Sequence, residues 1–204
     1  MVGIIDYGAG NLGSIQNMLK KIGESSCRIC QPQELAKADR LILPGVGAFD
    51  FGMSQLRESG MQEALRTEIL VKKKPLLGIC LGMQMLGMGS TEGKLPGLGY
   101  LDFHCERFPA GNPNLRVPHM GWDRVKLHDL ENPLTKNLPE KPRFYFVHSY
   151  YAICQQPEDV LLTCNYGVEF AAAVHRENVW GTQFHPEKSH QFGMALLRSF
   201  VKEC

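Results

Sequence analysis

The sequence predicts an α/β fold of three layers, a mostly parallel central sheet flanked by helices, with an antiparallel extension in the second half. Two observations predict it. As far as residue 88, short apolar runs alternate with stretches of helical spacing; after residue 97, strand-like runs crowd together with only turns between them. Repeated βα units of this length call for parallel strands, because each helix carries the chain back across the sheet. Closely spaced strands need only tight turns and so pair antiparallel. With 204 residues, 44% hydrophobic and 21% charged, residues 1–204 are expected to form a single domain able to bury a real core.

Taken in order, Val2–Asp6 is a short apolar strand. Leu12–Ile22 sets Leu12, Ile15, Met18, Leu19 and Ile22 at helical spacing and is stopped by Gly23. Cys27–Cys30 reads as the second strand and Leu41–Leu43 as the third, closed by Pro44-Gly45. Helices are expected near Phe51–Arg57 and over Met61–Lys73, followed by the strand Leu76–Ile79 and the helix Gly82–Met88. The second half offers strands at Asp102–Phe108, Trp122–Lys126, Phe144–Val147, Val160–Asn165, Ala171–His175 and Val179–Phe184, and a closing helix Phe192–Val201.

Several function classes are excluded early. Lys+Arg is 22 and Asp+Glu 21, a net charge of +1, which points to neither nucleic acid nor a membrane surface as partner. The start, MVGIIDYGAGN, lacks the basic region of a signal peptide. The longest weakly polar stretch, Pro75–Met88, falls short of the roughly 20 residues a membrane span needs. A cytoplasmic protein is expected. The 7 cysteines are odd in number and scattered, as befits reduced thiols. Cys27-Arg-Ile-Cys30 has the CxxC form, but it lies in a strand, and no second CxxC or His pair completes a metal site. Gly8-Ala-Gly-Asn-Leu-Gly13 matches GxGxxG after the first strand. The next strand, however, ends Cys30-Gln31-Pro32, without the carboxylate that would hold a ribose. No cofactor and no metal are expected.

KPLLGICLGMQMLG, residues 74–87, places Cys80 at the junction of a buried strand and a helix, between Gly78 and Gly82. A cysteine there is either a small buried hydrophobe, as most are, or a nucleophile on a strained strand-to-helix turn. Small neighbours leave room around such a group, the helix start favours a thiolate, and the N–H of Leu81 faces a developing oxyanion. A thiolate needs a base. In Thr182-Gln-Phe-His185-Pro-Glu187-Lys188, strand alternation would turn His185 and Glu187 the same way, so that Glu187 fixes the ring tautomer while the other nitrogen faces the thiol. Leu43-Pro-Gly45-Val46-Gly47 ends another strand in a glycine-rich turn with N–H groups free to supply a second oxyanion donor.

PGVGAF, GICLGMQ, VPHMGW, FYFVHSYY and GTQFHPEKS occur in that order, after an amino-terminal DYGAGN. Together they closely resemble the class I, triad-type glutamine amidotransferase family, over essentially the whole chain, and so imply its flavodoxin-like layering. The resemblance implies a Cys80–His185–Glu187 triad acting on L-glutamine. It also implies a pocket lined by Val46, Gly47, Leu81, Gln84 and the backbone at His148, Ser149 and Tyr150. The turn at Gly45–Gly47 would complete the oxyanion hole when a partner is engaged. Within the family, PGVG and PHMGW are most similar to glutaminase subunits that pass ammonia to a separate cyclase subunit, a (β/α)8 barrel of histidine biosynthesis, in a heterodimer. Asn11, Trp122 and Lys188 match positions at that interface. The ending KSHQFGMALL resembles instead a subgroup that feeds ammonia to a synthase acting on a surface-polysaccharide sugar.

Overall fold

The computed structural model describes residues 1–109 and 115–204. The first half runs β1 (Val2–Ile5), α1 (Leu12–Lys21), β2 (Ser26–Ile29), β3 (Arg40–Gly45), α2 (Phe49–Glu58), α3 (Met61–Arg66), β4 (Leu76–Cys80), α4 (Leu81–Leu86) and β5 (Gly89–Ser90). The second runs β6 (Phe103–Arg107), β7 (His119–Arg124), β8 (Lys126–Leu127), β9 (Arg143–His148), β10 (Tyr150–Cys154), β11 (Val160–Tyr166), β12 (Val168–Arg176), β13 (Val179–Thr182) and α5 (His190–Glu203). One 11-stranded sheet has the order β2-β1-β3-β4-β13-β12-β10-β6-β5, with β11 and β8 branching from β12. From β2 to β13 every pairing is parallel; β12 then runs antiparallel to β13, β10 and β11. The separate pair β7–β9 is antiparallel.

Alternation along the buried strands makes the layers. Leu41, Leu43 and Leu76 join one apolar cluster with Met53, Leu56 and Leu65 of α2 and α3. Ile42, Leu77 and Ile79 join the other, with Ile15 and Leu19 of α1 and Leu196, Leu197 and Phe200 of α5. Strands buried on both faces read as continuous apolar runs, and β4 is buried at every residue.

The expected layering holds, with local differences. The helix expected over Met61–Lys73 is α-helical only to Arg66, continues as a π-helical turn over Thr67–Val71, and reverses at Lys73, whose φ is +55°. Pro75 disfavours helical backbone just before it. α4 stops at Leu86 because Gly87 is already extended. The strand expected at Trp122–Lys126 begins at His119 and breaks at the buried Val125, beyond which β8 pairs with β11. β10 was not expected. The aromatic run 144–151 carries no glycine or proline, yet the chain changes partners at Ser149: β9 pairs with β7 and β10 with β6.

Candidate active site

Three neighbouring parallel strands bring their carboxyl ends to one edge of the sheet: Gly45 of β3 pairs with Cys80 of β4, and Thr182 of β13 pairs with Ile79. In open α/β sheets this edge is where ligands bind. Cys80 ends β4 and Leu81 starts α4 with no loop between them, which forces Cys80 to φ +55° and ψ −110°. A side chain other than glycine pays for that backbone in strain and keeps it only where packing over-determines it. Here the packing is tight. A Cβ on Gly82 would stand 1.8 Å from the Leu43 carbonyl oxygen, and one on Gly78 would stand 2.8 Å from the backbone of Gly82. Glycine at both positions lets α4 lie directly on β3 and β4 and holds the turn. The Cys80 thiol, 7% exposed, receives the Gln183 amide N–H at 3.8 Å and points at the Val147 carbonyl at 3.9 Å.

Beyond β13, the backbone N–H of His185 donates to the Tyr145 carbonyl at 2.9 Å. Pro186–Lys188 then makes a single 3-10 turn. It is this turn, and not strand alternation, that sets His185 and Glu187 on the same side. Proline fixes φ at the first turn position, and Ser189 Oγ locks the turn by donating to the His185 carbonyl at 2.6 Å. His185 Nδ1 meets Glu187 Oε1 at 2.8 Å, with both side chains buried. Nε2 is buried and makes no hydrogen bond of regular geometry among the described residues; the polar group beside it is the Cys80 thiol. Burial works against a charge on His185, but the hydrogen bonds and charges of Cys80 and Glu187 outweigh it, and the pKa is pushed up to about 10. The site therefore favours an imidazolium between a carboxylate and a sulfur.

Cys80 and His185 open onto a cavity of about 280 Å³, whose lining includes Val46, Gly47, Leu81, Gln84, His148, Ser149, Tyr150 and Lys188. Gly47, at φ +102°, turns the chain after β3 over this cavity. Gln84 spends both amide hydrogens on the protein, on the Tyr150 carbonyl and on Gln183 Oε1, each at 3.0 Å. Its Oε1 remains to meet a ligand. Three lining residues escaped the sequence reading: Glu92, Pro118 and Val147. Glu92 is the only carboxylate among the described residues lining the cavity, and it is aimed by the Phe49 N–H, which donates to Oε2 at 3.0 Å. An acidic residue in a glycine-rich turn carries no pattern; only the need for an anion opposite an ammonium group would have marked it.

The residues expected at a partner surface divide. Trp122, 39% exposed, stacks on His190 at 5.4 Å, with the Arg143 guanidinium 5.7 Å from its ring. Lys188 Nζ lies 5.6 Å over Tyr145. Asn11 instead caps α1, its side chain accepting from the Ser14 N–H at 3.4 Å. The CxxC cysteines lie at β2 as free thiols. No cluster of metal-ligating side chains occurs among the described residues, and no helix among them is long and apolar enough to cross a membrane.

The family model described as glutamine amidotransferase class-I matches residues 3–204. The chain is 50% identical over 202 residues to imidazole glycerol phosphate synthase subunit HisH 2 of Pseudomonas aeruginosa, covering 99% of each chain. It is 49% identical over 204 residues to the protein of the same name from Methanococcus maripaludis, covering 100% of both. Among solved structures, PurLQS from Thermotoga maritima superposes with a TM-score of 0.76 at 18% identity, over 98% of this chain and 96% of that one. A crystal structure of a glutamine amidotransferase gives 0.73 at 22%, over 98% and 97%. A cysteine elbow at the carboxyl edge of a parallel sheet is thus matched along nearly the whole sequence by one family, and the chain belongs to the glutamine amidotransferase class-I family.

Proposed function

We propose that this chain is the glutaminase subunit of imidazole glycerol phosphate synthase, which hydrolyses L-glutamine and hands the ammonia to a separate cyclase subunit in a heterodimer. The observation that supports it most is the meeting of Cys80, on its strained elbow, with the buried His185–Glu187 pair at one wall of a cavity. The residues carry the chemistry as follows. The Cys80 thiolate attacks the side-chain amide carbon of glutamine. The carbonyl oxygen becomes an oxyanion facing the Leu81 N–H and the turn at Val46 and Gly47. The His185 imidazolium gives its proton to the departing nitrogen, the C–N bond breaks, and ammonia leaves a γ-glutamyl thioester on Cys80. His185, now neutral, takes a proton from water as the hydroxyl attacks that thioester, and glutamate departs with the thiolate restored. Glu187 holds the Nδ1 hydrogen throughout. Glu92 pairs with the substrate's α-ammonium, while Gln84 Oε1 and the backbone at His148–Tyr150 receive its remaining polar groups. Trp122 and Lys188, with Asn11 nearby in sequence to β1, form the face offered to a (β/α)8-barrel cyclase of the cytoplasm.

The test is glutamate release measured with a candidate cyclase and its ribonucleotide substrate. Cys80→Ala is expected to abolish release while the cyclase still uses free ammonium; release persisting in Cys80→Ala refutes the mechanism. If turnover is stimulated by a surface-sugar amidotransferase and not by the cyclase, the half-reaction stands and the acceptor assignment is overturned.

A further inference from the structure

Behind the cavity wall lies a chain of polar contacts that the proposed chemistry does not use. Asp123 Oδ2 meets His119 Nε2 at 2.7 Å, His119 Nδ1 meets His148 Nε2 at 3.2 Å, and His148 Nδ1 meets the Tyr150 carbonyl at 2.8 Å. His119 is 1% exposed and His148 5%. The His119 ring lies between those of Phe146 and Tyr166, at 4.8 and 3.9 Å and nearly parallel to both. The rings therefore cannot turn aside, and the contacts between them must be satisfied as they stand.

Counting hydrogens decides the protonation. A carboxylate and a peptide carbonyl only accept. Three contacts in series between two acceptors need three hydrogens, one for each contact, and the ring nitrogens must supply all of them. Two neutral imidazoles carry only two. A neutral pair would leave two lone pairs facing each other across one buried contact, an unmade hydrogen bond with no water to replace it. We infer that His119 and His148 share three ring protons and one positive charge balanced by Asp123, and that this charged pair is a positioning element for the pocket wall at His148–Tyr150; the second half of the inference rests on the function proposed above.

The surroundings say where the charge sits. Burial pushes the His148 pKa down to about 3, with His119 and His185 adding to the repulsion and the Tyr150 carbonyl opposing it, so His119 carries the charge. Burial also lowers the pKa of His119, against the hydrogen bond and charge of Asp123. The third proton is therefore the first to leave as pH rises. The other titratable neighbours are Cys164 of β11, beside Asp123, and Tyr166 stacked on His119. When the proton leaves, Asp123 keeps the Nε2 hydrogen because a charge-assisted bond is the stronger. The contact that opens is then His119–His148. The wall loses its anchor on that side: His148 keeps its bond to the Tyr150 carbonyl, but the two are then held only through Gln84, which leads through Gln183 to the Cys80 thiol.

Two measurements on the Cys80→Ala protein test this: nitrogen NMR of the histidine rings, and calorimetric binding of L-glutamine, from pH 5 to pH 8. At pH 5, three of the four ring nitrogens of His119 and His148 are expected to be protonated, falling to two in a single step as pH rises. The glutamine Kd is expected to rise at least about threefold across that same step. Asp123→Asn, a change at a partly open side chain, is expected to move the step to lower pH. Two protonated nitrogens at pH 5 overturn the inference, as does a step across which Kd stays constant. Glutamine failing to bind at any pH, with the three-proton count intact, overturns the pocket reading and the positioning role with it, and leaves the shared charge standing.

Discussion

His185 works only while its two nitrogens face different partners. Nδ1 is held by Glu187 Oε1 at 2.8 Å, and the stability of the imidazolium depends on that carboxylate and on the sulfur more than on solvent, from which the ring is shut off. Glu187→Gln keeps an acceptor for the Nδ1 hydrogen but removes its charge. A hydrogen bond to a charged group is worth about 1.5–3 kcal/mol, so kcat for glutamine is expected to fall by about 10- to 100-fold with little change in KM. An unchanged kcat in this variant would show that the carboxylate charge plays no part. Glu92 calls for the opposite pattern. Its side chain is exposed and the partner proposed for it is a substrate group present in ground and transition state alike, so Glu92→Gln is expected to raise KM roughly three- to tenfold at constant kcat. The meeting of Cys80, His185 and Glu187 was legible in the sequence because their residue types carry chemistry at fixed spacing around glycine and proline. Glu92 was not, because its meaning comes from Phe49 and from the cavity, 43 residues away in the case of Phe49.

At the scale of elements, the turn from β4 to α4 depends on how closely a helix can approach a sheet. In α4 all six residues are buried, and Gly82 sits where any side chain would meet the Leu43 carbonyl. Gly82→Ala is expected to cost about 3 kcal/mol, the upper range for overpacking a core, and to lower the urea midpoint accordingly. Gly13 of α1 offers the contrast: nothing lies within 4 Å of a Cβ there and its φ is ordinary. Gly13→Ala should stabilise by up to about 1 kcal/mol, the helix propensity difference. If both substitutions proved neutral, the close packing of α4 on β3 would be wrong. The parallel half was readable element by element, since strands buried on both faces are continuous apolar runs bounded by glycine and proline. The antiparallel half was less so. β9 and β10 form one aromatic run in sequence, and their separation at Ser149 arises from pairing with two different sheets, which local pattern does not encode. The same limit applied to His185 and Glu187: their common orientation was expected, but a 3-10 turn produces it.

For the molecule as a whole, the site forms where the parallel half ends and the antiparallel half begins, so its residues are fixed only once both have folded. Cys80 comes from β4, His185 from beyond β13, and the pocket wall from the junction of β9 and β10. Burial of that wall makes stability depend on pH. His148 has a folded pKa pushed from 6.5 down to about 3, mainly by burial and then by His119 and His185. Between these values the unfolded chain binds a proton at this ring and the folded chain does not, so stability rises with pH there. The full contribution is present above about pH 6.5 and is lost progressively as pH falls towards 3. At pH 5 the loss from this one group is about 2 kcal/mol, at 1.36 kcal/mol per pH unit. Urea unfolding at pH 7 and at pH 5 measures it, and His148→Gln, which cannot titrate, separates this ring from the other histidines. The variant is expected to start less stable at pH 7, because it breaks contacts to His119 and Tyr150, but to lose about 2 kcal/mol less on acidification. Equal losses in the two proteins would mean that His148 is protonated as readily inside the fold as outside it, and that the wall of the pocket is open to water.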